Sequence, residues 1–389
     1  MRAILVLNAG SSSVKVALYD AADLSLLVSG KAERLGEGQA ALSLKSASGA
    51  GLPTTASPAD HGEAVAAVLD ALGAHLPGLR VVSVGHRVVH GGTFYDAPVQ
   101  LDEAVMARLE TLAPFAPLHQ PHNLAGIRAA IAAFPGVPQI ACFDTAFHRH
   151  QPWVNDTFAL PPQMYEAGVR RYGFHGLSYD YISGELRRIA PLIADGRVVV
   201  AHLGNGASMC AIQGGRSVAS TMGFSALDGL PMGTRCGQLD PGVMLYLMDH
   251  EGMDAAAISD LLYKRSGLLG LSGGLSNDMR TLEASNSPEA RQAIDYFVFR
   301  IQRELGAMAA AMGGVDALVF TGGIGENSAL IRARVCERTE WMGFEIDHSR
   351  NAENAVILSS EVSRGHVMAI PTNEEIIIAR ACREGVVDI

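Results

Sequence analysis

LVLNAGSSSVKVALYD, residues Leu5 to Asp20, reads as a strand from Ile4 to Leu7, a polar turn over residues 8–13 and a second strand from Val14 to Tyr19. Two β-rich runs joined by glycine and small hydroxyl residues predict a hairpin. Backbone N–H groups around Gly10, Ser11, Ser12 and Ser13 can approach an anion closely, and Lys15 follows directly, so the tip suits phosphate. An ordinary exposed hairpin carries the same local signals. The choice between the two rests on the rest of the chain.

With 389 residues the chain has room for about two domains, each with its own core. Forty-two glycines and a hydrophobic share of 48% describe an α/β protein with many tight turns. The formal net charge of -10 argues against a nucleic-acid surface and against anionic membranes. A small anionic substrate remains compatible, because a site needs only local Arg, Lys and backbone donors. Cys142, Cys210, Cys236, Cys336 and Cys382 show no CxxC spacing, which predicts a reducing, cytoplasmic setting without disulfides. No apolar run reaches the roughly 18 residues of a membrane span, and Asn8 interrupts the N-terminal apolar run too early for a signal peptide.

Downstream of the hairpin, residues 30–60 read as short strands and surface loops. His61 to Leu76 then spaces Val65, Val68, Leu69, Leu72 and Leu76 as one helix face. Leu79 to Val84 is a strand running into GHRVVHGG (85–92), which puts Arg87 where open α/β sheets bind ligands. Helices over 102–112 and 123–133 flank the Pro-punctuated loop APFAPLHQP (113–121), a rigid binding-loop candidate carrying His119. His119, His122, His148 and His150 have no Cys or carboxylate at supporting spacing, which disfavours zinc. Asp144 stands at the end of the strand Gln139 to Phe143. In GVRRYGFHGLSYDY (168–181), His175 lies in a turn and Ser178 reads as the cap of a helix to about Ile189.

RVVVAHLGNGASMCAIQGG (197–215) repeats the pattern of strand, Asn/Gly/Ser turn and strand, with Asn205-Gly206-Ala207-Ser208 echoing Asn8-Ala9-Gly10-Ser11. The echo predicts two similar α/β halves, each offering a phosphate-binding hairpin to a shared cleft. Residues 220–242 hold too many Gly and Pro for a regular element, with Arg235 and Asp240 as polar anchors. Residues 254–264 are helical, and a long helix opens at Ser287-Pro288 and ends at Gly313-Gly314. The strand from Asp316 to Phe320, the glycine turn TGGIGEN (321–327) and a following helix form a nucleotide-binding arrangement. It is neither the dinucleotide fingerprint nor a Walker loop. Glu374 or Glu375, before a helix from Ile376 to Cys382, suits a metal or simply favours the helix N-terminus.

LNAGSSSVK (7–15), GHRVVHGG (85–92), APLHQPHN (116–123), FDTAFH (143–148), RRYGFHGLSYDYI (170–182), HLGNGAS (202–208), MGTRCGQLDPG (232–242), SNDMR (276–280), TGGIGEN (321–327) and PTNEE (371–375), taken in order, resemble the acetate kinase, or acetokinase, family of the acetate and sugar kinase, actin and heat-shock chaperone superfamily. The resemblance implies an α/β fold of two similar actin-like, ribonuclease H-like domains with a nucleotide cleft between them. Domain I would take residues 1–147 plus 375–389, and domain II residues 148–374. It also implies reversible, Mg²⁺-dependent phosphoryl transfer from ATP to acetate, with Mn²⁺ as an alternative ion, in a homodimer.

Residue by residue, the resemblance implies magnesium at Asn8 and Glu374, and ATP contacts from Lys15 and the Ser11 and Ser13 turn. Nucleotide segments correspond to His202, Leu203, Gly204, Asn205 and Gly206, to Asp278, Met279 and Arg280, and to Gly323, Ile324, Gly325, Glu326 and Asn327. Arg87 matches the position that binds the acyl carboxylate, and His119 joins it in the substrate set. Asp144 matches the active-site aspartate, and His175 and Arg235 match the groups that stabilise the transition state. Val89, Leu118, Phe174 and Ala226 fall at the acyl-methyl pocket, where Ala226 replaces the family's usual proline. Val89 is the acetate-like choice, and the missing proline loosens the preference against propionate. A carboxylate acceptor is already ionised near pH 7, so catalysis should rest on alignment and charge cancellation rather than on a strong base. The rivals are a propionate kinase with the same mechanism and an actin-like ATPase, which would leave Arg87, His175 and Arg235 without an anionic acceptor.

Overall fold

The computed structural model describes residues 1–10, 13–35, 40–54 and 56–386, so the expectation for Ser11 lies outside the described residues. The chain divides into two compact units, Met1–Phe147 with Asn373–Ile389, and His148–Thr372. Glu374 thus belongs to the first unit.

In the first unit, β1 (Arg2–Ala9) and β2 (Ser13–Asp20) form the opening hairpin, with Asn8 opposite Lys15. β3 (Leu26–Glu33), β4 (Ala41–Ser46) and β5 (Gly51–Leu52) continue it antiparallel, so the region read as short strands and loops holds more regular sheet than its Gly, Ala and Ser content suggests. α1 (His61–His75) starts at Asp60, whose carboxylate accepts from the Glu63 N–H. β6 (Arg80–Val88) lies parallel to β1 and runs on past Val84, which makes Arg87 a strand residue. After β7 (Val99–Gln100), α2 (Glu103–Glu110) and α3 (Gln120–Ala133), β8 (Gln139–Phe143) pairs parallel with β6. The sheet order is β5-β4-β3-β2-β1-β6-β8-β7. Alternate residues of β1 and β2, such as Leu5, Leu7, Val14 and Val16, share a core with Val65, Val68 and Leu72 of α1. The C-terminal helix, Glu374–Val386, covers the sheet. A Cβ on Gly85 would lie 2.4 Å from Ile378 Cγ2, so the helix packs directly on the backbone of β6.

The second unit opens its main elements with α4 (Gly176–Ile189). Its N-cap is His175, held left-handed at φ 58° and making no side-chain cap bond. Ser178 therefore does not cap it. It sits inside the first turn, where its hydroxyl pairs with His202 Nδ1 at 2.8 Å and with the Thr372 hydroxyl at 2.9 Å. β9 (Arg197–Leu203), β10 (Ala207–Gln213) and β11 (Arg216–Ser220) are antiparallel. There follow α5 (Pro241–Asp249), α6 (Ala255–Lys264), α7 (Met279–Ala284) and the long α8 (Pro288–Met312), which Ser287 caps and Gly313 ends at φ 69°. β12 (Ala317–Thr321) and β13 (His366–Ala369) lie parallel to β9 in the order β11-β10-β9-β12-β13. TGGIGEN is a helix from its first glycine, α9 (Gly322–Asn327), followed by α10 (Ala329–Cys336).

That order, antiparallel strands then two parallel ones, matches β3-β2-β1-β6-β8 of the first unit. The repeat is one of topology, and its register differs from the sequence echo. Asn8 lies in β1 one pair before its end, whereas Asn205 is at the tip of the turn between Leu203 and Ala207. The counterpart of Asn8 is His202, also one residue before its strand's end. Among the described residues no helix is long and apolar enough to cross a membrane, and the cysteines form no disulfide.

Candidate active site

Parallel pairing of β6 with β8, Val88 opposite Phe143, brings Arg87 and Asp144 to the same sheet end. Arg87 Nε donates to Asp144 Oδ1 at 2.9 Å and Nη2 donates to Oδ2 at 2.7 Å, a fork on a carboxylate that is 2% exposed. Glu374, at the start of the C-terminal helix, approaches Arg87 Nε at 3.9 Å. Burial disfavours the guanidinium charge, but Asp144 and then Glu374 outweigh it and hold the Arg87 pKa above its ordinary value. Burial raises Glu374, Arg87 lowers it in part, and Asp144 and Glu375 push it further up. With all its carboxylates ionised the cluster would set three negative charges, on Asp144, Glu374 and Glu375, against Arg87 and Lys15, a deficit of one cation that the raised Glu374 carboxyl reflects.

That deficit, with the Asn8 amide carbonyl and the Glu374 carboxylate as oxygen donors, fits Mg²⁺. The ion typically takes one or two carboxylates and completes its shell with water and substrate phosphates. Among the described residues no three His, Cys, Asp or Glu gather as a metal group. His122 stacks on His61 with ring centroids 5.8 Å apart, and His119 stands at the head of α3. Val89, beyond the end of β6, is buried, and Leu118 is half-buried in the turn before α3.

In the second unit the left-handed backbone at His175 costs about 1–3 kcal/mol and is held by its surroundings. His175 Nδ1 pairs with the Ser208 hydroxyl at 2.8 Å, Tyr179 holds the same hydroxyl, and the imidazole stacks on His202 at 4.3 Å. Phe174 is buried, and its carbonyl accepts from His148 Nε2 at 3.0 Å. Arg235 donates from Nη1 to the Ala226 carbonyl at 2.9 Å. A Cβ on Gly206 would lie 3.2 Å from His175 Nε2 and 3.7 Å from Arg235 Nη2. These two side chains therefore converge over the backbone of Gly206, and only glycine leaves that space open.

Beside this convergence is a cavity of about 690 Å³ lined by Gly204, Asn205, Asp278, Met279, Arg280, Gly323, Ile324 and Asn327, together with Asn277, Glu283 and Ser328. His202, Leu203, Gly206, Gly325 and Glu326 are not in its lining. Gly325 backs onto Phe320, and the Glu326 carboxylate accepts from the N–H groups of Gly322 at 2.9 Å and Thr372 at 3.0 Å. Glu326 thus ties α9 to the chain beyond β13. Arg332 supports α9 from behind. Fully buried, it donates to the Gly325 and Glu326 carbonyls, the Asn351 carbonyl and the Asn351 and Asn354 side chains. Asp278 caps α7, and its bonds to Arg280, side chain first and backbone next, hold its carboxyl below the usual range.

Of the residues the sequence left out, Asn277 sits inside the SNDMR motif and Ser328 directly follows TGGIGEN. Glu283 is joined to the Ser328 hydroxyl at 2.5 Å, a contact across 45 residues that no local pattern signals.

Residues 3–380 match the family described as the Acetokinase family. An acetate kinase of Methylocella silvestris is 57% identical, with 97% of this chain and 96% of that protein covered. One of Nitrobacter hamburgensis is 52% identical, covering 98% and 95%. Among solved structures, a propionate kinase from Francisella tularensis superposes with a TM-score of 0.93 at 37% identity, over 99% of this chain and 100% of that one. A Porphyromonas gingivalis acetate kinase does so with 0.90 at 39% identity, over 100% of each. A match running almost end to end, at identities near and above one half, shows that this chain belongs to the acetokinase family.

Proposed function

We propose that the protein transfers the γ-phosphoryl group of ATP to acetate, giving acetyl phosphate and ADP, and catalyses the reverse. The observation that carries this reading is the agreement between full-length relatives named as acetate kinases and the forked Arg87–Asp144 pair at the strand ends of the first unit. Overlay on an acetate kinase and on a propionate kinase is comparable, so the fold does not separate the two acids. Val89 favours acetate. Ala226 favours propionate as a good second substrate, because a methylene in an apolar pocket is worth only about 1–3 kcal/mol.

In this reading Arg87 holds the acid's carboxylate, and Asp144 and Glu374 hold Arg87. Asp144 is committed to the fork, which supports a positioning role over proton abstraction. An ionised acid needs no base. The cavity edged by Gly204, Asn205 and Asp278 takes the nucleoside, and Lys15 and Ser13 of the opening hairpin serve the phosphates. His175, oriented through Ser208, and Arg235 supply donors to the equatorial oxygens as the phosphoryl group moves in line. Mg²⁺, held by Asn8 and Glu374, would neutralise phosphate charge when bound. As Asn8 is neutral, Asn8→Asp would add a negative charge facing two anionic substrates and weaken their binding.

α5 supports a homodimer. It buries no side chain of its own, and Leu245, Tyr246 and Met248 are each half or more exposed, an apolar face that suits a second copy. Scattered cysteines without CxxC spacing fit a cytoplasmic enzyme. A hydroxamate assay for acyl phosphate with acetate, propionate and butyrate tests the reading. The highest kcat/KM is expected for acetate, and absence of acid-dependent product would sink it.

A further inference from the structure

The parallel ladder between β1 and β6 stops at Leu7 opposite His86. Beyond it the strands part, Ala9 leading into the polar turn and Val89 leading toward the acyl residues. The side-chain amide of Asn123, on α3 and 3% exposed, fills the gap. Its Nδ2 donates to the Ala9 carbonyl at 2.5 Å, and its Oδ1 accepts from the Val89 N–H at 2.9 Å. A side-chain amide thus bridges the two strand ends with both halves in use. α3 comes this close because residue 126 is glycine: a Cβ there would lie 2.7 Å from the Ala9 Cβ. A second tether reaches the same turn from α1, where His61 Nε2 donates to the Gly10 carbonyl at 2.7 Å.

We infer that Asn123 is a positioning residue for phosphoryl transfer. It fixes the separation between the Asn8–Gly10 segment, which serves the metal and phosphates, and Val89, which serves the acyl chain. The inference rests on the proposed kinase function, in which reacting groups must meet within a fraction of an ångström. The Asn123 amide is engaged by the two strand ends, Ala9 and Val89, which makes its role one of positioning. Asparagine is suited here because its short amide donates to one strand end while accepting from the other. Aspartate keeps the acceptor for Val89 but cannot donate to Ala9, and leucine does neither.

The test is steady-state kinetics of full-length wild type, Asn123→Asp, Asn123→Leu and Gly126→Ala, with acetate and MgATP varied separately and thermal unfolding measured alongside. Asn123→Asp should lower kcat about a hundredfold and raise the KM for ATP about tenfold, with the acetate KM within about twofold of wild type. Asn123→Leu should raise both KM values. Gly126→Ala improves local helix propensity, yet should lower kcat about tenfold by pushing α3 off Ala9. Lower thermal stability with both KM values unchanged in the active fraction would show a structural role only and overturn the inference. Equal rises in both KM values for Asn123→Asp would overturn it too. Should the wild type make no acyl phosphate, the functional reading falls separately. The tether is then judged by calorimetric binding of MgADP, which Asn123→Asp must weaken about tenfold; unchanged affinity overturns it.

Discussion

The two units finish their parallel strands with opposite chemistry on the same sheet order. In the first, β6 and β8 end in charge, with Arg87 forked on Asp144 and Glu374 close by. In the second, β9 and β12 lead into glycine and amide groups beside a large cavity whose charged residues, Asp278, Arg280 and Glu283, come from α7 and its cap, and buried Arg332 lies behind the site. Arg332 makes five bonds, all to neutral oxygens, and burial lowers its pKa, whereas that of Arg87 is raised. The difference follows what each end is proposed to hold. A small acid and a metal-bound phosphate need charge that a carboxylate keeps oriented. A nucleoside needs a shaped space, and the charged Asp278 and Arg280 at its edge are paired with each other.

Breaking the charged end should have the largest effect. Arg87→Ala leaves Asp144 buried without its fork and removes the proposed carboxylate anchor, so kcat/KM for acetate should fall about 10²–10³-fold. Arg87→Lys restores charge without the planar fork and should recover only part of it. Kinetics of Arg87→Ala within tenfold of wild type would erase the distinction drawn between the two ends.

Acid should loosen β6 of the first unit before β9 of the second. His86, next to Arg87 in β6, is buried, with Nε2 donating to Gln139 Oε1 at 2.7 Å. Burial lowers its pKa to about 4, and the Gln139 bond opposes that only in part. The folded state therefore keeps the ring neutral while the unfolded chain takes up a proton below about 6.5. Stability is full above that pH and is lost as pH falls toward 4, by roughly 3 kcal/mol for the 2.5-unit gap. Hydrogen exchange at pH 7 and pH 4.5 should show β6 amides losing protection before those of β9, and His86→Gln should flatten that trend. Equal loss in both sheets would count against it.

In the second unit, Arg332→Leu should cost about 2 kcal/mol, because five oxygens lose a donor while the desolvation of a buried guanidinium is relieved. The loss should appear as weaker ATP binding through α9, with little change in acetate KM. Unchanged thermal unfolding and ATP KM would mean that the carbonyls of α9 find other partners.

These contrasts also mark what the chain reveals when read alone. The hairpins were legible because β-rich apolar runs and glycine turns are local, as was α8, opened by Ser287-Pro288 and closed by Gly313. The cavity residues Asn205, Asp278 and Asn327 were reachable through motifs that resemble a family. The Asn123 bridge was not, since its partners Ala9 and Val89 are 114 and 34 residues away. Nor was the Arg332 support, because its acceptors are backbone carbonyls and amides that every sequence offers. α5 escaped notice because a helix with no buried side chain shows no apolar face against its own unit. The echo of Asn8 in Asn205 was real as topology and wrong as register, because the second turn is tighter than the first and the shared small residues slide along it.

The smallest effect tests how the acyl chain is read. Val89 and Leu118 belong to the first unit, Phe174 and Ala226 to the second. Val89→Ala removes two buried methyl groups and should move the propionate-to-acetate ratio of kcat/KM upward by about tenfold, as expected when an apolar pocket gains room for one methylene. Ala226→Pro should move it the other way by less, about threefold, since the Ala226 carbonyl that receives Arg235 is a backbone group that proline retains. Opposite shifts would show that each unit contributes separately to selecting the acid. A ratio that responds to Val89→Ala but not to Ala226→Pro would place selectivity in the charged first unit alone, beside Arg87, and would leave the second unit responsible only for the nucleotide and the transferring group.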